Sequence, residues 1–161
     1  LIEMKKLNPN ISLVALWQEQ PSWGPDAVSL RAYQKGKSPW LGGLDIDDYQ
    51  GNPILAAKAI GVDIVSPYYP EISKQDVDLA HELGMKVVPW TVNSVTDINM
   101  MIDMGVDGMI SDKPWVLRSV LEKRGIKLHE PMINPNSKYH TGVDYVDVKT
   151  KKMAGGGDSA E

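Results

Sequence analysis

Three glycines, Gly61, Gly84 and Gly105, stand 23 and 21 residues apart, and this period constrains the fold more than any other feature of the chain. The interval is about the length of one helix, one strand and two short connections. Each glycine closes an amphipathic run and precedes a short apolar one. Asn52 is placed to cap a helix that starts at Pro53, with Leu55, Ala56, Ala59 and Ile60 as its buried stripe, before Gly61 ends it. Ser73 with Asp76 three residues later has the form of a capping box, and Ile72 and Val77 occupy hydrophobic-staple positions. Val77, Ala80 and Leu83 then face the core up to Gly84. Asn93 or Ser94 opens a third helix, with Ile98, Met101 and Ile102 inward, and Asp112 before Lys113-Pro114 reads as the cap of a fourth.

Strands are expected at 11–17, 62–66, 85–90 and 108–111. Helices alternating with strands at this spacing imply parallel strands joined by crossovers, buried on both faces. A doubly wound sheet and half of an eight-stranded barrel both fit four βα units. No glycine-rich phosphate loop follows the first strand, which lowers the dinucleotide reading. Residues 1–7 read as a helix stopped by Pro9, and 18–51, punctuated by proline and glycine, as a long βα loop with a short helix near 26–33. Residues 127–161 read as an extended tail whose end is expected to be disordered.

Charge and composition remove several function classes. With a net charge of −4 and acids and bases interspersed, the chain has no basic stripe for nucleic acid and no polybasic segment for anionic lipid. It contains no cysteine, which excludes disulfides and thiolate metal sites. No apolar run reaches the roughly 18 residues of a membrane span.

In parallel sheets the chemistry lies beyond the carboxyl ends of the strands. Those ends carry Trp17-Gln18-Glu19, Pro67-Tyr68-Tyr69, Trp90-Thr91-Val92-Asn93 and Ser111-Asp112-Lys113-Pro114. Tyr68, Tyr69, Trp90 and Trp17 would make an apolar wall for a small organic ligand, with Asn93 and Lys113 available to phosphate or hydroxyl oxygens. Trp90 reads as pocket rather than core, because a core position there would favour a branched aliphatic side chain. His81 falls on a predicted helix away from the rim, and His129 and His140 have no paired ligand at metal spacing. Asp45, Asp47, Asp48 and Gly51 lack the glycine and closing glutamate of a calcium-binding EF-hand loop.

Three segments, 63–69, 80–93 and 105–114, resemble the carboxyl-terminal half of glycerophosphodiester phosphodiesterases. The most specific part is Trp90-Thr91-Val92-Asn93 followed at short range by Gly105-Val106-Asp107-Gly108 and Asp112-Lys113-Pro114. The resemblance implies an α/β (β/α)8 TIM barrel, of which residues 1–126 would supply the last four βα units, with Val14, Ile64, Val87 and Met109 pointing inward. It implies hydrolysis of a glycerophosphodiester to an alcohol and sn-glycerol 3-phosphate. A divalent metal ion, Ca or Mg, is expected for the complete enzyme. In that family the His-Arg-Gly segment, the Glu-x-Asp pair, a further carboxylate and a second catalytic histidine belong to the amino-terminal half. None of these catalytic or metal-binding groups occurs in this sequence. The resemblance carries over Trp90 as a substrate-binding wall, with Tyr68 and Asn93 beside it. The expected partners are the diester substrate and either the amino-terminal half of the barrel or a second copy of the chain. The alternatives are a non-catalytic half-barrel binding module and another phosphate-binding barrel enzyme.

Overall fold

Each helix starts where a short polar side chain can take up its free backbone N–H groups. In the computed structural model, which describes residues 1–18 and 43–129, Asn52 Oδ1 accepts from the N–H groups of Ile54 (2.8 Å) and Leu55 (3.3 Å). With Pro53 at its first position, helix α2 follows as Pro53–Ala59. The capping box of Ser73 and Asp76 opens α3, Lys74–Glu82. Ser94 Oγ accepts from Asp97 N–H (3.0 Å) to open α4, Val95–Met104. Gly105, at φ +84°, closes α4 in the left-handed conformation that a residue with a Cβ adopts only under strain. Helix α1 is Ile2–Leu7 and α5 is Pro114–Lys123. Residues Leu1–Leu128 make up one compact unit. Most of the predicted 18–51 loop, including the short helix near 26–33, and nearly all of the 127–161 tail lie outside the described residues.

Three caps or stripes differ from expectation. Lys113, not Asp112, occupies the cap position of α5, and no side chain caps it. Ser94 rather than Asn93 caps α4, because the Asn93 side chain is engaged elsewhere. On α2 the buried residues are Pro53, Ile54, Ala56 and Ala57, so the stripe is rotated from Leu55 and Ala59 toward the sheet.

The strands β1 (Val14–Trp17), β2 (Ile64–Pro67) and β3 (Lys86–Val87) form a parallel sheet in the order β1-β2-β3. Val14 pairs with Ile64, Leu16 with Ser66, and Val65 with Val87. Two prolines shape its carboxyl end. In a regular parallel ladder residue 67 would donate to the Val88 carbonyl, and Pro67 has no N–H to give. Ser66 Oγ, 1% exposed, donates to Val88 O instead, at 2.6 Å. Beyond it the backbone pairing resumes, with Trp90 N–H to Pro67 O (3.1 Å) and Tyr69 N–H to Trp90 O (2.8 Å).

The expected fourth strand, 108–111, is not a regular strand. It runs beside residues 87–92, with Asp107 N–H bonded to Val87 O (2.9 Å), Ile110 N–H to Pro89 O (3.0 Å) and Val92 N–H to Ile110 O (2.8 Å). Pro89 lacks the donor that would meet Asp107 O. The offset between bonded residues changes from 20 (Val87 to Asp107) to 21 (Pro89 to Ile110). A slip of one residue exchanges the two faces of a strand. Met109, expected to point inward, therefore packs with the core under the helices, while Ile110 is 46% exposed.

Ala15, Val65 and Val87 on one face of the sheet belong to the core that includes Val77, Ala80, Ile98 and Met101. Val87 thus faces the helices rather than inward, since it pairs with Val65. Of the four residues expected to point inward, Val14 and Ile64 do share the opposite face, where Val14 is 43% and Leu16 61% exposed.

At the amino ends of the strands one motif occurs twice. In Gly61-Val62-Asp63, Asp63 Oδ2 accepts from Leu13 N–H (2.8 Å) and Lys5 Nζ (3.2 Å). In Gly105-Val106-Asp107, Asp107 Oδ2 accepts from Val87 N–H (2.8 Å) and lies 2.9 Å from His81 Nε2. Each aspartate ties the residue that leads a strand, or lies within it, to the helix before it. The Leu13 N–H and then Lys5 hold the Asp63 carboxyl below its ordinary range, with a further pull from Lys58. Partial burial pushes Asp107 up, but the Val87 N–H, His81 and Lys86 together outweigh it and hold that carboxyl low as well. A carboxyl depressed in the folded state contributes stability above its unfolded value, and this contribution is lost as pH falls through the folded value, below about pH 4. Asp63→Asn and Asp107→Asn should therefore each lower stability by more at pH 7 than at pH 3. Urea midpoints at the two pH values measure this, and a deficit equal at both would contradict it.

Candidate ligand-binding rim

The carboxyl ends of β1 and β2 and the stretch after β3 bring Trp17, Tyr68 and Trp90 into sequence around one rim. Tyr68 N–H donates to Trp17 O at 3.0 Å, and Tyr68 and Trp90 form a further parallel bridge. The Tyr68 and Trp90 rings lie 5.6 Å apart between centroids at 49°, and Tyr68 meets Tyr69 edge-on at 5.5 Å and 68°. Trp90 Nε1 donates to Ser66 O (2.9 Å), which fixes the indole by its polar edge and leaves the ring partly exposed. Trp17 is not a free wall. Its side chain packs against Ile46 and Ala56, which form a small cluster under the single helical turn Ile46–Tyr49.

Tyr69 also departs from the wall. Its hydroxyl donates to Asp97 Oδ2 at 3.2 Å, and Ser94 Oγ donates to the same oxygen at 2.6 Å. Desolvation first, then the charge and hydrogen bond of Asp97 and the neighbouring Tyr68, hold the Tyr69 hydroxyl above its ordinary value. It stays a donor across the neutral range.

Asn93 joins two loops. Its Oδ1 accepts from Asp112 N–H (2.9 Å) and Ser111 Oγ (3.1 Å), and its Nδ2 donates to Asp112 Oδ2 (2.9 Å). Ser111 Oγ accepts in turn from Lys113 N–H (3.0 Å). The amide thus spends most of its hydrogen-bonding capacity inside the protein and positions Asp112 and Lys113, both exposed, at the polar end of the rim.

The remaining sequence candidates resolve simply. His81 takes part in the Asp107 clamp at the other end of the sheet. Asp45 accepts from Asp47 N–H (3.1 Å) as a local cap. His140 lies outside the described residues. Among the described residues no group of three or more His, Asp or Glu side chains is placed to hold a metal ion, so these residues do not fit the expected cation. A shallow groove lined by Lys74, Thr96, Asn99, Met100, Asp103 and Met104 contains none of the predicted site residues. Sequence reasoning missed Ser66 and Asp97. The signal for Ser66 was its place before a proline, and for Asp97 its place three residues after Ser94.

Residues 21–116 match the Glycerophosphoryl diester phosphodiesterase family. A glycerophosphodiester phosphodiesterase of Caldanaerobacter subterraneus subsp. tengcongensis is 39% identical over 59 residues, 37% of this chain and 24% of that protein. A Mycobacterium tuberculosis protein named for the same activity is 34% identical over 86 residues, 53% of this chain and 28% of its own length. The crystal structure of a glycerophosphodiester phosphodiesterase from Parabacteroides distasonis superposes with a TM-score of 0.51 at 20% identity, over 77% of this chain and 40% of that one. A Silicibacter pomeroyi structure bearing the family's name gives 0.58 at 24% identity, over 79% and 36%. The matched part of this chain spans about a quarter of the length of these curated relatives.

Proposed function

Since the chain belongs to the glycerophosphoryl diester phosphodiesterase family, and so to the TIM-barrel α/β fold of its structural relatives, we propose that it forms the carboxyl-terminal half of a barrel that hydrolyses glycerophosphodiesters. Water would add to phosphorus as the P–O bond to the alcohol breaks, giving that alcohol and glycerol 3-phosphate. In this reading the groups that move protons, and the ligands of a calcium or magnesium ion, belong to the amino-terminal half. The described residues bind and orient. Trp90 and Tyr68 cover the carbon skeleton of the ligand and exclude water from it, while the frame built on Asn93 keeps Asp112 and Lys113 at a fixed distance from that wall. The observation that carries the reading is the tilted Tyr68–Trp90 pair at the carboxyl end of a parallel sheet, with the indole pinned to Ser66 O.

The test is release of glycerol 3-phosphate by the chain assembled with a polypeptide carrying the amino-terminal half. Trp90→Ala should then lower kcat/KM about ten- to hundredfold, mainly through KM, as expected for losing about 1.5–3 kcal/mol of apolar contact. Trp90→Phe should recover part of it. A soluble, assembled mixture without diester hydrolysis would count against the proposal. Turnover of sugar phosphates instead would favour another phosphate-binding barrel enzyme, and saturable binding of glycerol 3-phosphate without turnover would favour a non-catalytic binding module.

A further inference from the structure

Trp90 is held at three points, and only two of them belong to the sheet. Its N–H and C=O join the backbone ladder to Pro67 and Tyr69, and its indole N–H reaches Ser66 O. The third support comes through rings, because Trp90 tilts against Tyr68 and Tyr68 stands edge-on against Tyr69. Tyr69 is anchored outside the sheet, by its hydroxyl on Asp97 in the first turn of α4. We propose that Tyr69 and Asp97 are positioning residues, forming a strut from α4 through Tyr68 that sets the plane of the Trp90 ring. The purpose of the strut rests on the reading of Trp90 as a pocket wall, whereas its geometry does not.

Energetics favour a device of this kind. An edge-to-face aromatic contact contributes about 0.5–1.5 kcal/mol and tolerates a range of tilts, so the ring pair alone leaves Trp90 free to rock. A hydroxyl on a carboxylate restricts that freedom, because Asp97 is itself fixed by Ser94 Oγ and by its place in a helix. The same strut bridges the ends of the segment 90–97. That segment is tied again in its middle by Asn93 to Asp112, so the aromatic and polar ends of the rim share one frame.

The test follows hydrogen exchange of the Trp90 indole N–H by NMR in the full chain. Tyr69→Phe removes only the hydroxyl and should speed that exchange about five- to tenfold, the equivalent of one net hydrogen bond. The amides of Ile64 and Val88, which belong to the ladder, should stay unchanged. Asp97→Ala should match Tyr69→Phe, and Asp97→Asn, which keeps an acceptor oxygen, should restore slow exchange. Ser94→Ala weakens the cap of α4 and removes one of the two supports of Asp97 but leaves the Tyr69 hydroxyl its acceptor, so its Trp90 exchange should fall between that of the unmodified protein and that of Asp97→Ala. The proposal is overturned if Tyr69→Phe leaves Trp90 exchange within twofold, if the Ile64 and Val88 amides accelerate equally, or if Ser94→Ala reproduces Asp97→Ala. Glycerol 3-phosphate titrated against the same indole signal, in the chain assembled with a polypeptide carrying the amino-terminal half, separates this from the functional reading. An unperturbed signal would refute the pocket and leave the strut to be judged by exchange alone.

Discussion

Truncating Ile98 to alanine is expected to lower the unfolding free energy by about 2–5 kcal/mol. Ile98 and Met101 are fully buried on the inner side of α4, in the same core as Val65 and Val87. Removing the distal carbons of Ile98 leaves a void between helix and sheet that the two rigid layers cannot close. A domain of this kind has only about 5–15 kcal/mol in hand, so the variant should unfold at a much lower urea midpoint, or lack a cooperative transition. Val95→Ala on the same helix supplies the contrast. Val95 is 55% exposed, and its truncation should cost less than about 0.5 kcal/mol. Equal costs at the two positions, read from urea unfolding by circular dichroism, would contradict the packing described for α4.

The second large effect concerns the open face of the sheet. Val14, Leu16 and Ile110 are 43%, 61% and 46% exposed, and among the described residues β1 has only β2 as a neighbour. An unpaired strand beside a wet apolar face invites another strand. Covering each such side chain would gain about 1.5–3 kcal/mol. On the half-barrel proposal, the isolated chain should self-associate through this face, and should become a discrete complex when the amino-terminal half is supplied. Sedimentation at increasing concentration measures this, and Leu16→Lys should shift the distribution toward monomer by making the face costly to bury. A monomer at all concentrations, with cooperative unfolding and indifferent to Leu16→Lys, would sink the idea that further strands complete this sheet.

The sequence was most legible where the interaction it encoded was short. Asn52, Ser73 and Ser94 cap the helices they precede because the groups they satisfy lie two or three residues away. The closing glycines follow from the same local geometry. What escaped depends on partners far along the chain. Asp112 is drawn from the cap of α5 to Asn93, 19 residues earlier, and Asp63 reaches back 50 residues to the Leu13 amide. The apolar pattern placed strand-like runs correctly but could not choose their faces. Val87 turned to the helices with its partner Val65, and Met109 followed through the one-residue slip beside Pro89. At the candidate site, Tyr68 and Trp90 were legible from the strand-end rule. The strut and the Asn93 frame were not, because side-chain reach across loops leaves no periodic trace.

Pro67 and Pro89 both fall where the strands meet the rim, and each withholds one backbone donor. From that point on, the mouth of the sheet is held largely by side chains: the Ser66 hydroxyl on Val88 O, the Trp90 indole on Ser66 O and the Asn93 amide on Asp112. A boundary of this sort divides the chain into a part whose register the backbone ladder fixes and a part whose shape rests on side chains. Exchanging a residue above the prolines can reshape the rim, while Val14 keeps its register against Ile64 below them. On the half-barrel proposal, a barrel built this way can acquire a preference for a different alcohol group without first solving its folding problem again.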